Sequence, residues 1–228
     1  MAHQHPGVAL ETTKVLIVED QELFSEMLRR TLSEEPGLCV MGVAQDGETA
    51  IDLARELEPD VVLMDIELQG GMNGIEAAKR IKEARPQTGI VILSVHNDRR
   101  YFTSLPLEEN PGWSYLLKQS VPDLASVVRA IQGSESGMVV LDPAVVRSLS
   151  PKQGSTVANL TPRQMEVLEL IAQGFNNAAI GRQLTLAERS VETYIHAIYQ
   201  TLQISGEDEI HGRVKATLFY LNETQTRR

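Results

Sequence analysis

The feature that most constrains the fold is a regular alternation of short apolar runs with helix-patterned segments across residues 14–133. Runs this rich in Val, Ile and Leu are typical of strands buried on both faces, which indicates a parallel sheet covered by helices on each side. Five such units in one small domain predict an α/β doubly wound fold around a five-stranded parallel sheet. The five predicted strands cover residues 14–18, 38–43, 60–65, 89–94 and 114–117.

The rest of the chain has a different pattern. Residues 134–157 are rich in Gly and Ser and lose the alternation, which predicts a linker. Residues 158–224 are helical throughout, beginning with Thr161-Pro162 as a cap followed by Pro at the first helical position. Four short helices around one small core, two of them joined by a tight turn, predict an all-α helix-turn-helix domain.

Composition excludes several classes of protein. The formal net charge of −10 argues against a chain whose whole surface binds nucleic acid. No apolar run approaches the roughly 20 residues that cross a bilayer, and the N-terminus lacks the pattern of a secretion signal. The single cysteine, Cys39, cannot form an internal disulfide, which fits a reducing compartment. We therefore expect a cytoplasmic protein without a membrane partner.

Charged and polar residues follow four of the predicted strands. Glu19 and Asp20 follow the first, Asp65 ends the third, Ser94 ends the fourth and Lys118 follows the fifth. Carboxyl ends of parallel strands meet at one edge, so these side chains should converge there. Two carboxylates about 4 Å apart repel by about 4 kcal/mol at an effective dielectric near 20, and one lysine cannot offset three such repulsions.

Either a divalent cation binds to this cluster, or one carboxylate is protonated. Oxygen ligands with room for water and phosphate suit Mg²⁺. A carboxylate beside Mg²⁺ can attack a phosphoryl group because the metal neutralises the incoming charge. Ser94 and Lys118 could then each bind one phosphoryl oxygen.

Four motifs in order resemble the receiver domain of two-component response regulators: VLIVED ending at Asp20, DVVLMD ending at Asp65, ILS ending at Ser94 and YLLK ending at Lys118. The resemblance implies that Asp65 accepts phosphate from a histidine kinase. It also implies the other roles, namely Asp20 as a direct Mg²⁺ ligand, Glu19 as a ligand through water, the Glu67 backbone carbonyl as a further ligand, Ser94 and Tyr115 as switch residues, and Lys118 as the partner of the phosphoryl group.

Two stretches depart from the receiver pattern. The turn after Asp65 is one residue longer than usual and lacks the Pro often found there. Residues 101–118, with Pro106, Pro111 and Trp113, replace the usual helix and Gly-Ala turn of the region that family members use to signal and dimerise. Pro106 should break any helix that spans it.

Residues 158–224 resemble the LuxR-type helix-turn-helix of the NarL/FixJ subfamily, on the segment LTPRQMEVL from Leu160 and the Ile, Gly and Asn positions that follow it. The resemblance implies that a third helix over residues 188–203 enters the major groove of DNA. Its core face would carry Val191, Ile195, Ile198 and Leu202. The predicted DNA-binding residues are Arg189, Glu192, Thr193 and His196 on this helix, with Gln200 beside them, and Arg182 before it.

The predicted DNA-binding face is poor in cations. The ordered candidates are Arg163, Arg182, Arg189, Arg213 and Lys215. Affinity for DNA depends largely on phosphate neutralisation, so we expect modest binding per monomer and a homodimer as the active form. Ala187 replaces the usual Ser or Thr cap of the third helix, and Thr185 is an alternative cap for a longer helix.

Three functions remain open on the sequence. The leading hypothesis is a regulator of transcription that binds promoter DNA and is switched by phosphorylation of Asp65. The second is an interaction protein that uses a degenerate helix-turn-helix as a docking module. The third is a phosphohydrolase, although such enzymes carry Asp-x-Asp on an early strand, whereas Asp65 and Glu67 lie on the third.

Overall fold

The computed structural model describes residues 12–96, 105–106, 112–205 and 209–226. Its first part alternates strands and helices, as the apolar runs predict. The elements are β1 (Thr13–Val18), α1 (Glu22–Ser33), β2 (Leu38–Ala44), α2 (Gly47–Leu57), β3 (Val61–Asp65), α3 (Gly74–Ala84), β4 (Gly89–Ser94), β5 (Trp113–Leu117) and α4 (Leu124–Glu135).

All neighbouring strands of the main sheet run parallel, and their order is β2-β1-β3-β4-β5-β6. The doubly wound α/β class is confirmed, but the predicted number of five strands is wrong. The sixth strand, β6 (Val140–Leu141), pairs with β5 through Ser114 and Tyr115. A strand of two residues is too short to show an alternating pattern in the sequence. It forms because β5 would otherwise have unpaired backbone N–H and C=O groups along one edge.

Regular structure also continues through the stretch predicted as a linker. After β6 come α5 (Pro143–Ser148), β7 (Leu149–Pro151) and a 3₁₀ helix over Val157–Asn159. Strand β7 pairs antiparallel with β8 (Thr224–Thr226) near the end of the chain. Residues 134–157 therefore differ from the irregular linker that their Gly and Ser content predicts.

The C-terminal part contains α6 (Pro162–Ala172), α7 (Asn177–Leu184), α8 (Glu188–Thr201) and α9 (Glu209–Glu223). Thr161 and Gln164 form a capping box at the start of α6. Ala187 makes no side-chain cap for α8. The alternative cap at Thr185 is wrong, because Thr185 takes a left-handed conformation with φ of 55° and ends α7 instead.

Apolar burial follows the predicted pattern in both parts. Each residue of β3, β4 and β5 is buried, as expected for strands covered by helices on both faces. Val191, Ile195 and Ile198 in α8 and Leu202 directly after it are buried, which confirms the predicted core face. Within the described residues, no helix is both long and apolar enough to span a membrane.

The two parts contact each other through the turn between α6 and α7. The guanidinium of Arg129 on α4 lies 4.0 Å from the ring centroid of Phe175, and its Nε donates to the carbonyl of Gln173 at 2.9 Å. Gly174 packs so closely on β6 that a Cβ there would lie 2.7 Å from a methyl group of Val140.

Of the divergent stretch 101–118, the structure describes Leu105, Pro106 and the residues from Gly112 onward. Pro106 is not helical, and Trp113 is fully buried at the start of β5. Pro111 and the effect of this stretch on the usual signalling helix lie outside the described residues.

Candidate functional site

Three carboxylates meet at the carboxyl edge of the sheet. Glu19 and Asp20 follow β1, and Asp65 ends β3, the strand that pairs with β1 in parallel. One carboxylate oxygen from each of the three lies within 4.8 Å of the others. Glu19 and Asp65 are buried and Asp20 is partly buried, so solvent screens the repulsion between Glu19 and Asp65 poorly.

Lys118 bridges two of these carboxylates. Its Nζ lies 2.7 Å from Glu19 Oε2 and 2.9 Å from Asp65 Oδ2, and its side chain is 10 % exposed. The ammonium also lies 5.0 Å from the ring centroid of Phe24 on α1. Phe24 is a contact that the sequence analysis missed, because nothing in the helical pattern separates it from an ordinary core position.

Burial and the neighbouring charges shift the pKa values of Glu19 and Lys118. Burial raises the pKa of Glu19, the charge of Asp65 adds to this rise, and the hydrogen bond from Lys118 opposes it. Burial by itself lowers the pKa of Lys118, but its hydrogen bonds to Glu19 and Asp65 outweigh this effect and raise the pKa above its ordinary value. The lysine is therefore held in its charged form between the two carboxylates.

The third carboxylate has no comparable partner. Asp20 Oδ1 is buried and accepts no hydrogen bond from any described residue. A buried carboxylate oxygen without a donor is costly, and a cation bound at the cluster would remove this cost. The donors are all oxygens, so the residues present fit a hard divalent cation.

Ser94 and Tyr115, the two predicted switch residues, both bind the backbone of His96. The hydroxyl of Ser94 accepts the N–H of His96 at 3.0 Å, and the hydroxyl of Tyr115 donates to the His96 carbonyl at 2.7 Å. The His96 ring lies 2.7 Å from the carboxylate of Glu67, which stands two residues after Asp65. His96 thus binds Glu67 after β3, Ser94 at the end of β4 and Tyr115 in the middle of β5.

Gly74 is a second residue of the site that the sequence analysis missed. A Cβ at this position would lie 1.7 Å from the carbonyl oxygen of Asp65, so only glycine fits there. Its N–H donates to the carbonyl of Ile66 at 3.0 Å, and Asn73 caps the helix that begins at Gly74. The long turn after Asp65 is thereby folded back onto the end of β3. The Asn-Gly pair was the available signal.

The predicted DNA-binding residues lie together on the solvent side of the helix-turn-helix. Arg189, Glu192, Thr193 and His196 on α8 are exposed, as is Arg182 on α7. The side-chain amide of Gln200 lies 3.0 Å from the His196 ring. One face of α8 is therefore exposed to solvent, with Arg189 in its first turn.

Two of the other predicted cations are engaged within the protein. Arg213 is 5 % exposed, donates to the carbonyl of Phe175 at 2.9 Å and also binds Asn177. The expectation that Arg213 is available to DNA is therefore not supported, because its guanidinium holds the turn before α7. Arg163 pairs with Glu166 and donates to the carbonyl of Leu184.

Two different protein families match the two parts of the chain. Residues 15–129 match the response regulator receiver domain, and residues 158–213 match the luxR family of bacterial regulatory proteins. The chain is a response regulator of the LuxR family. A receiver domain and a helix-turn-helix DNA-binding domain make it a regulator of transcription.

Relatives of this response regulator span nearly its full length. The nitrate/nitrite response regulator protein NarL of Escherichia coli K12 is 30% identical over 216 residues, 92% of this chain and 95% of that protein. The response regulator protein VraR of Staphylococcus aureus NCTC 8325 is 34% identical over 213 residues, 91% of this chain and 96% of that protein.

Among solved structures, a two-component response regulator of the LuxR family from Aurantimonas sp. SI85-9A1 is similar to this chain. It is 30% identical, has a TM-score of 0.54, and covers 60% of this chain and 94% of its own. The family matches leave residues 130–157 unassigned, and this stretch contains β6 and α5.

Proposed function

We propose that Asp65 accepts a phosphoryl group from a sensor histidine kinase in the cytoplasm, and that this controls binding of the protein to promoter DNA as a homodimer. The observation that carries the proposal is the position of Asp65: a carboxylate at a strand end, 2.9 Å from a lysine and within reach of two further carboxylates. The protein acts here as a phosphate acceptor and has no separate substrate.

Transfer takes place at a carboxylate oxygen of Asp65. This oxygen attacks the phosphorus of a phosphohistidine on the kinase, and a P–O bond forms as the P–N bond breaks. The histidine nitrogen keeps the electron pair of the broken bond and takes up a proton. Asp65 Oδ2 accepts from Lys118 and Oδ1 accepts the N–H of Glu67 at 3.3 Å, which orients the carboxylate before the attack.

Lys118 and Ser94 receive the transferred group. The lysine lies beside the attacking carboxylate and pairs with a phosphoryl oxygen. The hydroxyl of Ser94 accepts the N–H of His96, so its own proton remains to be donated to a second phosphoryl oxygen.

Asp20, Asp65 and the backbone carbonyl of Glu67 would hold Mg²⁺ directly, and Glu19 would hold it through water. When bound, the ion would neutralise the charge that builds up during transfer. The unpartnered Asp20 Oδ1 supports a direct role for Asp20. Both carboxylate oxygens of Glu19 contact Lys118, whereas only Oδ2 of Asp65 does, which supports the more distant role of Glu19.

Phosphorylation adds about two negative charges beside this cluster. A phosphoryl group competes with Glu19 for Lys118 and draws the Ser94 hydroxyl toward itself. Since Ser94 and Tyr115 bind the same residue, His96, a shift of Ser94 changes the partner of the Tyr115 hydroxyl. This favours one of two positions of the Tyr115 side chain, and so shifts a population that already exists.

The exposed face of α8 supports the DNA-binding role. Arg189, Thr193 and His196 are exposed and would contact bases in the major groove, and the exposed Arg182 would contact a phosphate. Glu192 on the same face weakens attraction to phosphates unless it accepts from a cytosine amino group. Few cations per monomer mean that two monomers are needed for useful affinity.

The test is labelling with acetyl phosphate and Mg²⁺, followed by mass spectrometry and by electrophoretic shifts on random DNA fragments at low and moderate salt. We expect one phosphate on Asp65, none on Asp65→Asn, and a stronger shift after phosphorylation. An Asp52→Asn variant, altered at an exposed residue of α2, should be labelled like the wild type. Labelling of Asp65→Asn at another residue would refute the assigned acceptor.

A second candidate function is favoured because two arginines of the helical part are bound within the protein and are not free to contact DNA. Arg213 is buried and Arg163 is paired, which leaves a weakly basic surface suited to contact with another protein. If no DNA shift is seen at low salt in either phosphorylation state, the helix-turn-helix serves as a docking module instead.

A further inference from the structure

Lys118 can meet Asp65 only if the carboxyl end of β5 is held in place. The lysine follows Leu117, the last residue of this strand, which pairs with Ser94 on the β4 side. On its other side β5 pairs with β6, but this ladder ends at Tyr115. The N–H of the fully buried Leu117 would therefore have no strand partner, and an unpaired buried N–H is costly.

The side chain of Asp142 supplies the missing partner. Its Oδ2 accepts the N–H of Leu117 at 3.0 Å, and its own N–H donates to the carbonyl of Tyr115 at 2.8 Å. Asp142 thus extends the ladder of β6 by one residue, using its carboxylate where a backbone carbonyl would normally stand. The residue held in this way is the one directly before Lys118.

The Asp142 carboxylate is completely buried and forms no ion pair with any described residue. Its second oxygen accepts the N–H of Ala144 at 2.7 Å and caps α5. A cap alone requires no carboxylate, because a hydroxyl or an amide serves about equally well. Burying a carboxylate here therefore calls for a second role, and the bond to Leu117 provides one.

We propose that Asp142 is a positioning residue for phosphoryl transfer, which holds the end of β5 so that the ammonium of Lys118 lies against Asp65. The phosphoacceptor unit then extends beyond residue 129, where the match to the receiver domain ends, and includes the segment from β6 to the start of α5. This inference rests on the proposed function of Asp65.

The experiment uses the full-length protein and measures the rate of labelling by acetyl phosphate with Mg²⁺. Asp142→Ala should lower this rate about tenfold, the effect of losing one charge-assisted hydrogen bond. Asp142→Asn keeps an oxygen for one of the two N–H groups and should lose less. Asn176→Ala removes a comparable cap from α7, where Asn176 accepts the N–H of Ala179 and forms no hydrogen bond to β5 among those described, and it should be labelled at the wild-type rate.

A double-mutant cycle separates positioning from general destabilisation. If Asp142 acts through Lys118, then Asp142→Ala should slow labelling of the wild type but not slow it further in a Lys118→Ala background. Equal slowing in both backgrounds would overturn the proposal, as would wild-type rates for Asp142→Ala. If Asp142→Ala fails to fold, the same cycle with Asp142→Asn decides.

Failure of the positioning role of Asp142 can be distinguished from failure of the proposed role of Asp65. If the wild type itself takes up no phosphate, or if Asp65→Asn is labelled as well as the wild type, the acceptor assignment fails. If the wild type is labelled on Asp65 and the Asp142 cycle is additive, only the positioning role fails.

Discussion

Replacing Asp20 by asparagine should have opposite effects on stability with and without a divalent cation. Asp20 is the one carboxylate of the cluster that forms no ion pair among the described residues, because Lys118 already bridges Glu19 and Asp65. Asp20→Asn therefore removes repulsion and sacrifices no ion pair. Without Mg²⁺, the variant should have the higher free energy of unfolding.

The geometry sets the size of this effect. Two unit charges 4.8 Å apart repel by about 3.5 kcal/mol at an effective dielectric near 20, and Asp20 lies at this distance or closer from two carboxylates. Partial exposure of Asp20 screens much of this repulsion, so we expect a net gain of about 1–3 kcal/mol. In Mg²⁺ at about a hundred times its dissociation constant, the wild type gains about 2.7 kcal/mol that the variant largely loses.

The assay is unfolding in urea, followed by the fluorescence of Trp113, which is the only tryptophan and is fully buried. Each protein is measured once with a chelator and once with MgCl₂. Asp52→Asn, at an exposed position on α2, serves as the matched control and should stay within about 0.5 kcal/mol of the wild type in both conditions. The reasoning is refuted if Asp20→Asn is less stable than the wild type in chelator, or if Mg²⁺ stabilises both equally.

Three further predictions concern other parts of the chain. Gly74→Ala should destabilise the protein by more than about 2 kcal/mol, because its Cβ would lie 1.7 Å from the Asp65 carbonyl oxygen; an unchanged melting temperature would contradict this. Burial lowers the pKa of Lys82 to about 8 from 10.5, so between these values the unfolded chain binds more protons and the wild type gains stability as pH rises. Urea unfolding at about pH 8 and about pH 10 should show this rise in the wild type but not in Lys82→Met, and equal rises would exclude Lys82 as its cause. Arg129→Ala should cost about 1–2 kcal/mol in urea unfolding of the full chain, through loss of the contact with Phe175; no change would mean that this contact contributes nothing.

Most of the charged cluster at the carboxyl edge of the sheet could be predicted from the sequence. Glu19, Asp20, Asp65, Ser94 and Lys118 each follow or end an apolar run, and parallel strands bring their carboxyl ends to one edge whatever the details of packing. The structure confirms that the three carboxylates and Lys118 meet. The roles of these residues in phosphoryl transfer remain predictions.

Other parts of the site could not be predicted in this way. Phe24 lies under Lys118 on a helix whose pattern marks it only as apolar, and β6 is too short to show a period. The burial of Arg213 could not be predicted either, because the sequence does not show whether an arginine lies at the surface or binds backbone carbonyls inside the protein.

By itself, the sequence determined the order of the first five strands, the core face of α8 and the set of charged residues at the carboxyl edge. These follow from the spacing of apolar residues and from the direction of parallel strands, which are local or topological properties. Only the tertiary structure decided that Lys118 pairs with Glu19 and Asp65 but not with Asp20, and that Asp142 binds the end of β5. Such partners lie far apart in the chain, and their choice depends on which buried hydrogen-bonding groups remain unpaired after the backbone has folded.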